Sequence, residues 1–336
     1  MNRTFYAAKP ADYFGWRLGN LILVAGKREA LESLLADGVA FKSLKVGGTA
    51  SGSEDASGVA SVTPDPETEA EAAKGAEHFV IAEAEVLAHH VGETLLRLYL
   101  AHEFPANARP PACPWLEISR LRSFSQFKSM VRARFGPDSD PEDPANLAAV
   151  ARVFHLTDDP ARMSNATIPE EQWNNSLNNI EGYLLAFARQ FLDRSAIYNA
   201  AKHGLALRPS EMSMRYGDGS LISVEGPIIK YLEIRDHDGH PRWSQVNHWV
   251  KSDRQMALIH RACQLIESLW EVARLRYLPE QRPDRFKVRL FAGARWEDLM
   301  STDAKDGRFV IEDVAIELLY YLPIEDDGPP VSEPGA

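Results

Sequence analysis

Between Glu77 and Glu103 the apolar residues Val80, Ala84, Leu87, Val91, Leu95 and Leu98 recur in steps of three or four, which puts them on one side of a helix. From Leu95 to Ala101 the chain is apolar almost all round, so this part of the rod needs neighbours on several sides. A rod of that kind belongs at the centre of a helical bundle. Two other segments have the spacing to pack on it: Trp173, Leu177, Ile180, Leu184, Phe187 and Phe191 in one, and Leu258, Cys263, Ile266, Leu269 and Trp270 in Asp253–Tyr277.

The second rod should begin at a capping box, Thr167-Ile168-Pro169-Glu170, and run to His203, with Gly204 as its stop. Its Asn174-Asn175-Ser176 and Asn178-Asn179 runs are weak helix formers, and a bend is expected there. Trp115–Phe135 reads as one or two shorter helices, and Pro144–Leu156 as another. After Gly204 the period changes. Met212–Arg215, Leu221–Val224, Ile228–Arg235 and Trp243–Val250 are short, alternating or β-branched, with turn residues at Gly217-Asp218-Gly219 and Asp238-Gly239. They predict a three- or four-stranded antiparallel meander. Phe286–Ala292 reads as a strand, and Phe309–Tyr321 as strand or helix.

The expected fold class is mainly α, a helical bundle with an inserted antiparallel β meander, α+β overall. The expected organisation is an N-terminal helical segment (1–46, with Leu31, Leu34 and Leu35 before a stop at Gly38), a disordered acidic linker (47–76) and the bundle (77–204). The β insertion (205–252), a C-terminal helix with strands (253–324) and a disordered acidic tail (325–336) follow.

The formal net charge of −11 is unevenly placed. Seven acids against one base lie between Ser51 and Glu77, and four acids with no base follow from Glu325 to the end, so the remainder is near neutral. The reverse holds from Arg109 to Arg134. Arg109, Arg120, Arg122, Lys128, Arg132 and Arg134 face only Glu117 there, which reads as a solvated helix face or as an anion-facing patch. No window approaches the ~18 apolar residues of a membrane helix, and the start lacks an apolar signal-peptide region. Two distant cysteines, Cys113 and Cys263, suit a reducing, cytoplasmic setting.

Chemistry-bearing residues gather at the end of the second rod. Asn199 and His203 are four apart on one face, Lys202 lies beside them, and Tyr198 is four before Lys202. A histidine can act as a general base near neutral pH, and Asn or Lys can hold an oxyanion or phosphate. The same residues also suit a helix C-terminus, where cations meet the dipole and glycine ends the helix. On the first rod Glu93 and Arg97 form an i,i+4 pair inside an apolar run, with His89 on the same face; this is either a buried ion pair or the wall of a polar pocket. His102 falls on the Leu95/Leu98 stripe, as a core histidine would. His89, His90 and Glu93 have ligand-like spacing, but no second cluster accompanies them, and neither a metal nor a cofactor is expected. Walker-type, Rossmann-type and Gly-x-Ser-x-Gly signatures do not occur.

The bundle with its Tyr198-Asn199-x-x-Lys202-His203-Gly204 end resembles the HEPN superfamily over 77–103 and 144–204, with Asp253–Tyr277 as a further bundle helix. The resemblance implies a compact helical domain tied to toxin, antiviral-defence or RNA-processing systems. In catalytic members, Arg followed after four to six residues by His forms an RNA-cleaving cleft shared across a homodimer. Before His203 the arginine's place is held by Ala196, Ile197 and Tyr198; the pattern does occur as Arg97…His102 and Arg254…His260. Three functions follow as expectations. The first is a HEPN-like binding or interaction module, with a homodimer as one arrangement. The second is a metal-independent ribonuclease of a toxin or defence system, with His203, His102 or His260 as base and Arg97, Arg254 or Lys202 holding charge. The third is a small-molecule binder with a polar pocket around Glu93, Arg97 and Asn199. Tyr198, Arg120 and Arg122 are further candidate contacts for a ligand or for RNA.

Overall fold

The computed structural model describes residues 1–26, 66–105, 108–121, 123–137, 139–140, 143–162, 168–202, 207–216, 222–237, 240–250, 252–278, 280, 289–292 and 322–323. Helices α1 (Asn2–Tyr6) and α2 (Pro10–Val24) precede the central α3 (Pro66–His102). Then come α4 (Pro114–Arg120), α5 (Phe124–Phe135), α6 (Pro144–His155), a short 3-10 turn (Pro160–Arg162), α7 (Glu170–Asp193) and α8 (Ser195–Lys202). Strands β1 (Leu207–Tyr216), β2 (Ile222–His237) and β3 (His240–Trp249) lead to α9 (Ser252–Tyr277), and a two-residue β4 (Leu322–Pro323) lies at the sheet edge.

The bundle is built around α3, which packs most extensively on α9 and also on α2, α7, α4 and α8. The stripe from Val80 to Leu98 is buried throughout, and Leu95, Leu96, Leu98, Tyr99 and Ala101 are all covered, as a rod that is apolar all round requires. The α7 stripe from Trp173 to Phe191 and the α9 stripe from Leu258 to Trp270 join the same core. Burial of each such side chain contributes about 1.5–3 kcal/mol. Helices α3 and α7 cross at Gly92, where an added Cβ would stand 3.0 Å from the Phe187 ring. Gly92→Val is therefore expected to lower stability by ~1–3 kcal/mol, read as a reduced urea midpoint at an unchanged slope.

Helix α3 begins eleven residues before Glu77, so residues 66–76, expected as linker, are helical. Pro66 sits at the first helical position, where its missing N–H costs nothing. The sequence behind it, with acids at 67, 69 and 71 and alanines at 70, 72, 73 and 76, has the composition of a helix start. Helix α7 starts at Glu170 with Pro169 as its N-cap. The residue expected as cap, Thr167, lies outside the described residues, as do Leu31–Gly38, the rest of the linker, both turns of the meander, Phe309–Tyr321 and the tail.

The second rod is not continuous to Lys202. It breaks at Arg194, between Asp193 and Ser195, and not in the asparagine run. That run has another use. Ser176 Oγ accepts from the backbone N–H of Phe291 at 2.8 Å, and Asn179 Nδ2 donates to the Phe291 carbonyl at 2.6 Å. Residues 289–292, expected within a strand, have no regular structure; α7 side chains take the place of a ladder for Phe291.

Among the described residues the sheet is antiparallel, in the order β1-β2-β3-β4. The runs expected as two strands, Leu221–Val224 and Ile228–Arg235, fall from Ile222 onward in one strand, β2, and Leu221 lies outside the described residues. The junction is Gly226 at φ +145, a backbone conformation that residues with a Cβ rarely adopt, opposite Met212. Ile229 pairs with His248 and Tyr231 with Val246. Ile229, Tyr231 and Val246 form a second core with Ile81 of α3 and Ile197 and Ala200 of α8. No helix among the described residues is long and apolar enough to cross a membrane.

Candidate functional site

Glu85, His89, Glu93 and Arg97 follow one another at i,i+4 along α3 and form a polar ladder down one side of the rod. The break at Arg194 and the short α8 behind it face the ladder's upper part, and β3 supplies His248. The sheet face that packs on α3 and α8 carries Ile229 and Tyr231, and the alternation of strands puts His248 on that face too.

Glu85 is fully buried. Its Oε2 accepts from Gln255 Nε2 of α9 at 2.8 Å, and Gln255 Oε1 accepts from Gln190 of α7 at 3.3 Å. Its Oε1 stands 3.9 Å from His89 Nε2 and 4.0 Å from Arg194 Nη1. Both separations exceed a direct hydrogen bond, so the contribution of these pairs is electrostatic. His89 is pushed down to about 3, first by burial and then by the charges of Arg194 and His248, so its ring is neutral at physiological pH. Tyr198 stacks on that ring at 5.6 Å and 13°. The acidity of its phenol is weakened by burial and by Glu93, against the opposing pull of Arg17 and Arg97. Tyr198 thus joins the buried Glu85 and His89 to the half-buried Arg194 and Glu93–Arg97 pair.

Arg97 Nε donates to Glu93 Oε1 at 2.9 Å, and its Nη1 donates to the Leu121 carbonyl. Its guanidinium lies 4.0 Å from the centroid of Phe127. Arg17 of α2 is held likewise: it pairs with Glu83 and donates to His90 Nδ1 at 3.3 Å and to the Tyr13 hydroxyl at 3.4 Å. Arg17, Arg194 and Arg97 keep 26%, 20% and 19% of their side chains exposed, so the ring of charges around Tyr198 opens to solvent.

The other candidates lie elsewhere. Asn199 is exposed on α8; Lys202 ends that helix; His203, Gly204 and Arg122 lie outside the described residues. His102 is 1% exposed. Its Nδ1 donates to the Leu98 carbonyl at 2.7 Å and its Nε2 accepts from the Tyr6 hydroxyl at 2.8 Å. That assignment fixes its tautomer, and burial holds it near 4. Arg97 and His102 do not converge, because five residues along a helix turn the side chain by ~140°. Arg254 is half-buried, and His260 is only 8% exposed within the bundle. Arg120 pairs with Glu117 at 2.8 Å on the surface. His89 and His90 face different partners, and among the described residues no group of three His, Cys, Asp or Glu is placed to hold a metal ion. Cys113 and Cys263 are both free thiols, and burial raises Cys263 to about 12.

The sequence reading passed over Glu85 and Arg17, and it took His248 as a residue of the meander and Gln255 only as the neighbour of Arg254, bringing neither to this place. Glu85 had a signal, an acid one turn before His89 on the face that carries Glu93 and Arg97. The other three come from distant segments and are brought in only by packing.

The fold defines a mainly helical α+β protein with a polar junction between its central helix, a broken partner helix and an antiparallel sheet. No family model, curated protein or solved structure matches the chain.

Proposed function

We propose that the chain is a HEPN-like binding module whose ligand site is the polar junction between α3 and α8. The carrying observation is Tyr198: it is half-buried, stacked on the neutral His89 ring and flanked by Glu93, Arg97 and Arg17. The ligand suited to this ring is a small polar molecule that offers a π-face or alkyl surface to Tyr198 and hydrogen-bonding groups to the paired arginines and glutamates. Two free cysteines favour a reducing, cytoplasmic setting for it. A homodimer would give the exposed Tyr13, Leu23 and Val24 of α2 a partner surface.

Binding is favoured over RNA cleavage because a base must reach a ribose 2′-hydroxyl. Of the three candidate histidines, His102 and His260 are 1% and 8% exposed. The test is a thermal-shift panel of nucleoside mono- and diphosphates, amino acids and dicarboxylates on wild type and Tyr198→Ala. A ligand at ~100 times its Kd should stabilise the wild type by about 2.7 kcal/mol and the variant by much less. An unshifted panel, or equal shifts in both proteins, removes the junction as the site.

A further inference from the structure

A second surface, independent of that junction, lies on α4, α5 and the loop before them. Between Pro105 and Pro137 the chain has six cations and one acid, against a net charge of −11 for the whole. Arg109 and Arg132 are exposed, and Arg120, although paired with Glu117, keeps 71% of its side chain exposed. Arg134 is turned inward to Glu103 and Glu181 and is not part of this face.

Two exposed aromatic rings belong to the same stretch of chain. Trp115 is 43% exposed while its indole is stacked on Phe5 at 5.7 Å and 14°. Phe124 is 36% exposed and rests on Phe191 at 5.6 Å. Each ring is braced from behind and open in front, so little side-chain entropy remains to be lost when something stacks on it. Phe124, Lys128 and Arg132 share one flank of α5 at i, i+4 and i+8. The corner between α4 and α5 is held by Arg97, which donates to the Leu121 carbonyl and covers the Phe127 ring. Trp115 and Phe124 lie on successive helices nine positions apart, so the chain holds them within at most ~30 Å of each other, inside the reach of a strand of about 15 nucleotides.

We propose that this face docks single-stranded nucleic acid, with bases stacking on Trp115 and Phe124 and phosphates held by Arg109, Arg120 and Arg132. Stacking platforms among cations suit an unpaired strand, whose bases are free to leave one another. An anionic membrane fits less well, because the apolar side of α5 (Phe127, Val131 and Phe135) is buried in the core and cannot enter lipid. The strand is read without regard to its sugar. Ser123 Oγ caps the Gln126 N–H and Ser129 Oγ donates to the Ser125 carbonyl, so these hydroxyls serve the helix and not a ribose 2′-hydroxyl.

Fluorescence anisotropy of labelled oligouridylate and oligothymidylate of about 15 nucleotides, with the full-length chain between roughly 50 and 200 mM salt, tests this. Saturable binding of both strands is expected, with affinities within about threefold and weaker binding of a duplex of equal length. Arg120→Glu/Arg132→Glu should weaken binding at least about tenfold and flatten the salt dependence by roughly two charges. Trp115→Ala should weaken it about tenfold with the salt slope unchanged. If that variant melts early, Phe124→Ala replaces it; the charge variant is at exposed positions and should keep the wild-type melting temperature. Failure to bind either strand, tighter binding of the duplex, an unchanged affinity in the charge variant, or binding confined to anionic vesicles would each overturn the proposal.

Discussion

Arg134→Met is expected to cost about 3–5 kcal/mol, because it leaves two carboxylates without their shared cation. Arg134 Nη1 and Nη2 grip Glu181 at 2.8 and 3.1 Å, its Nε donates to Glu103 at 2.8 Å, and Nη2 also reaches the Tyr99 hydroxyl at 3.0 Å. Tyr99 in turn donates to Glu103 at 2.8 Å. Glu181 is 1% exposed, and burial already pushes its carboxyl upward against the opposing pull of Arg134. Without the guanidinium it must take up a proton or remain a bare buried charge. The penalty should therefore shrink as pH falls, since protonation is then supplied more cheaply. Urea unfolding at neutral pH and near pH 5 measures both effects. Arg134→Met/Glu181→Leu should recover a large part of the loss, as removal of both partners of a buried pair usually does. A single variant as stable as wild type would show that the network contributes little.

Acidification should have an effect of similar size. His89, His102 and His155 are depressed to about 3, about 4 and about 4, in each case chiefly by burial. Their surroundings differ: Glu85, Arg194, His248 and Tyr198 around the first, Tyr6, Tyr277 and Arg276 around the second, Ser176 and Trp173 beside the third. An unfolded histidine titrates near 6.5, so below that pH the unfolded chain binds protons that the native state refuses. The stabilising share of the three is complete above ~6.5 and is lost as pH falls toward their native values. Each histidine contributes about 1.4 kcal/mol per pH unit in that window. The combined loss between pH 7 and 5 is on the order of 5 kcal/mol, much of the stability of an ordinary domain. Glu181, raised by burial, works the other way just above its unfolded value and trims the slope. A urea midpoint that stays level from pH 7 to 5 would contradict this account, and His89→Gln should remove about a third of the slope.

The helical character of the bundle and its buried faces were legible because their signal is local. The stripes of α3, α7 and α9 are periodic within single segments, and all three are buried as their spacing requires. Boundaries were read less well where one residue type serves two purposes. The acidic, alanine-rich run before Glu77 has the composition of a linker, yet behind Pro66 it has the charge order of a helix start. Ser176 and Asn179 have low helix propensity, which suggested a bend; their side chains instead bind the Phe291 backbone, 115 and 112 positions away in the chain. The break at Arg194 falls where no glycine or proline marks it. Glu93 and Arg97 could be paired from their spacing, whereas Arg17, Gln255 and His248 could not be assigned to the same neighbourhood from any local pattern.

The sequence by itself determined that helices would form, which of their faces would be buried, and that an antiparallel sheet would interrupt them, because periodicity and turn chemistry act over a few residues. Tertiary structure alone decided which ionisable groups from distant segments met. Three arginines from separate segments are each drawn to a glutamate on or just after α3: Glu83 and Glu85 within the helix, and Glu103 directly behind its last residue. A carboxylate placed in an apolar interior must find a cation or a donor wherever the packing brings one, and that choice is made in space rather than along the chain.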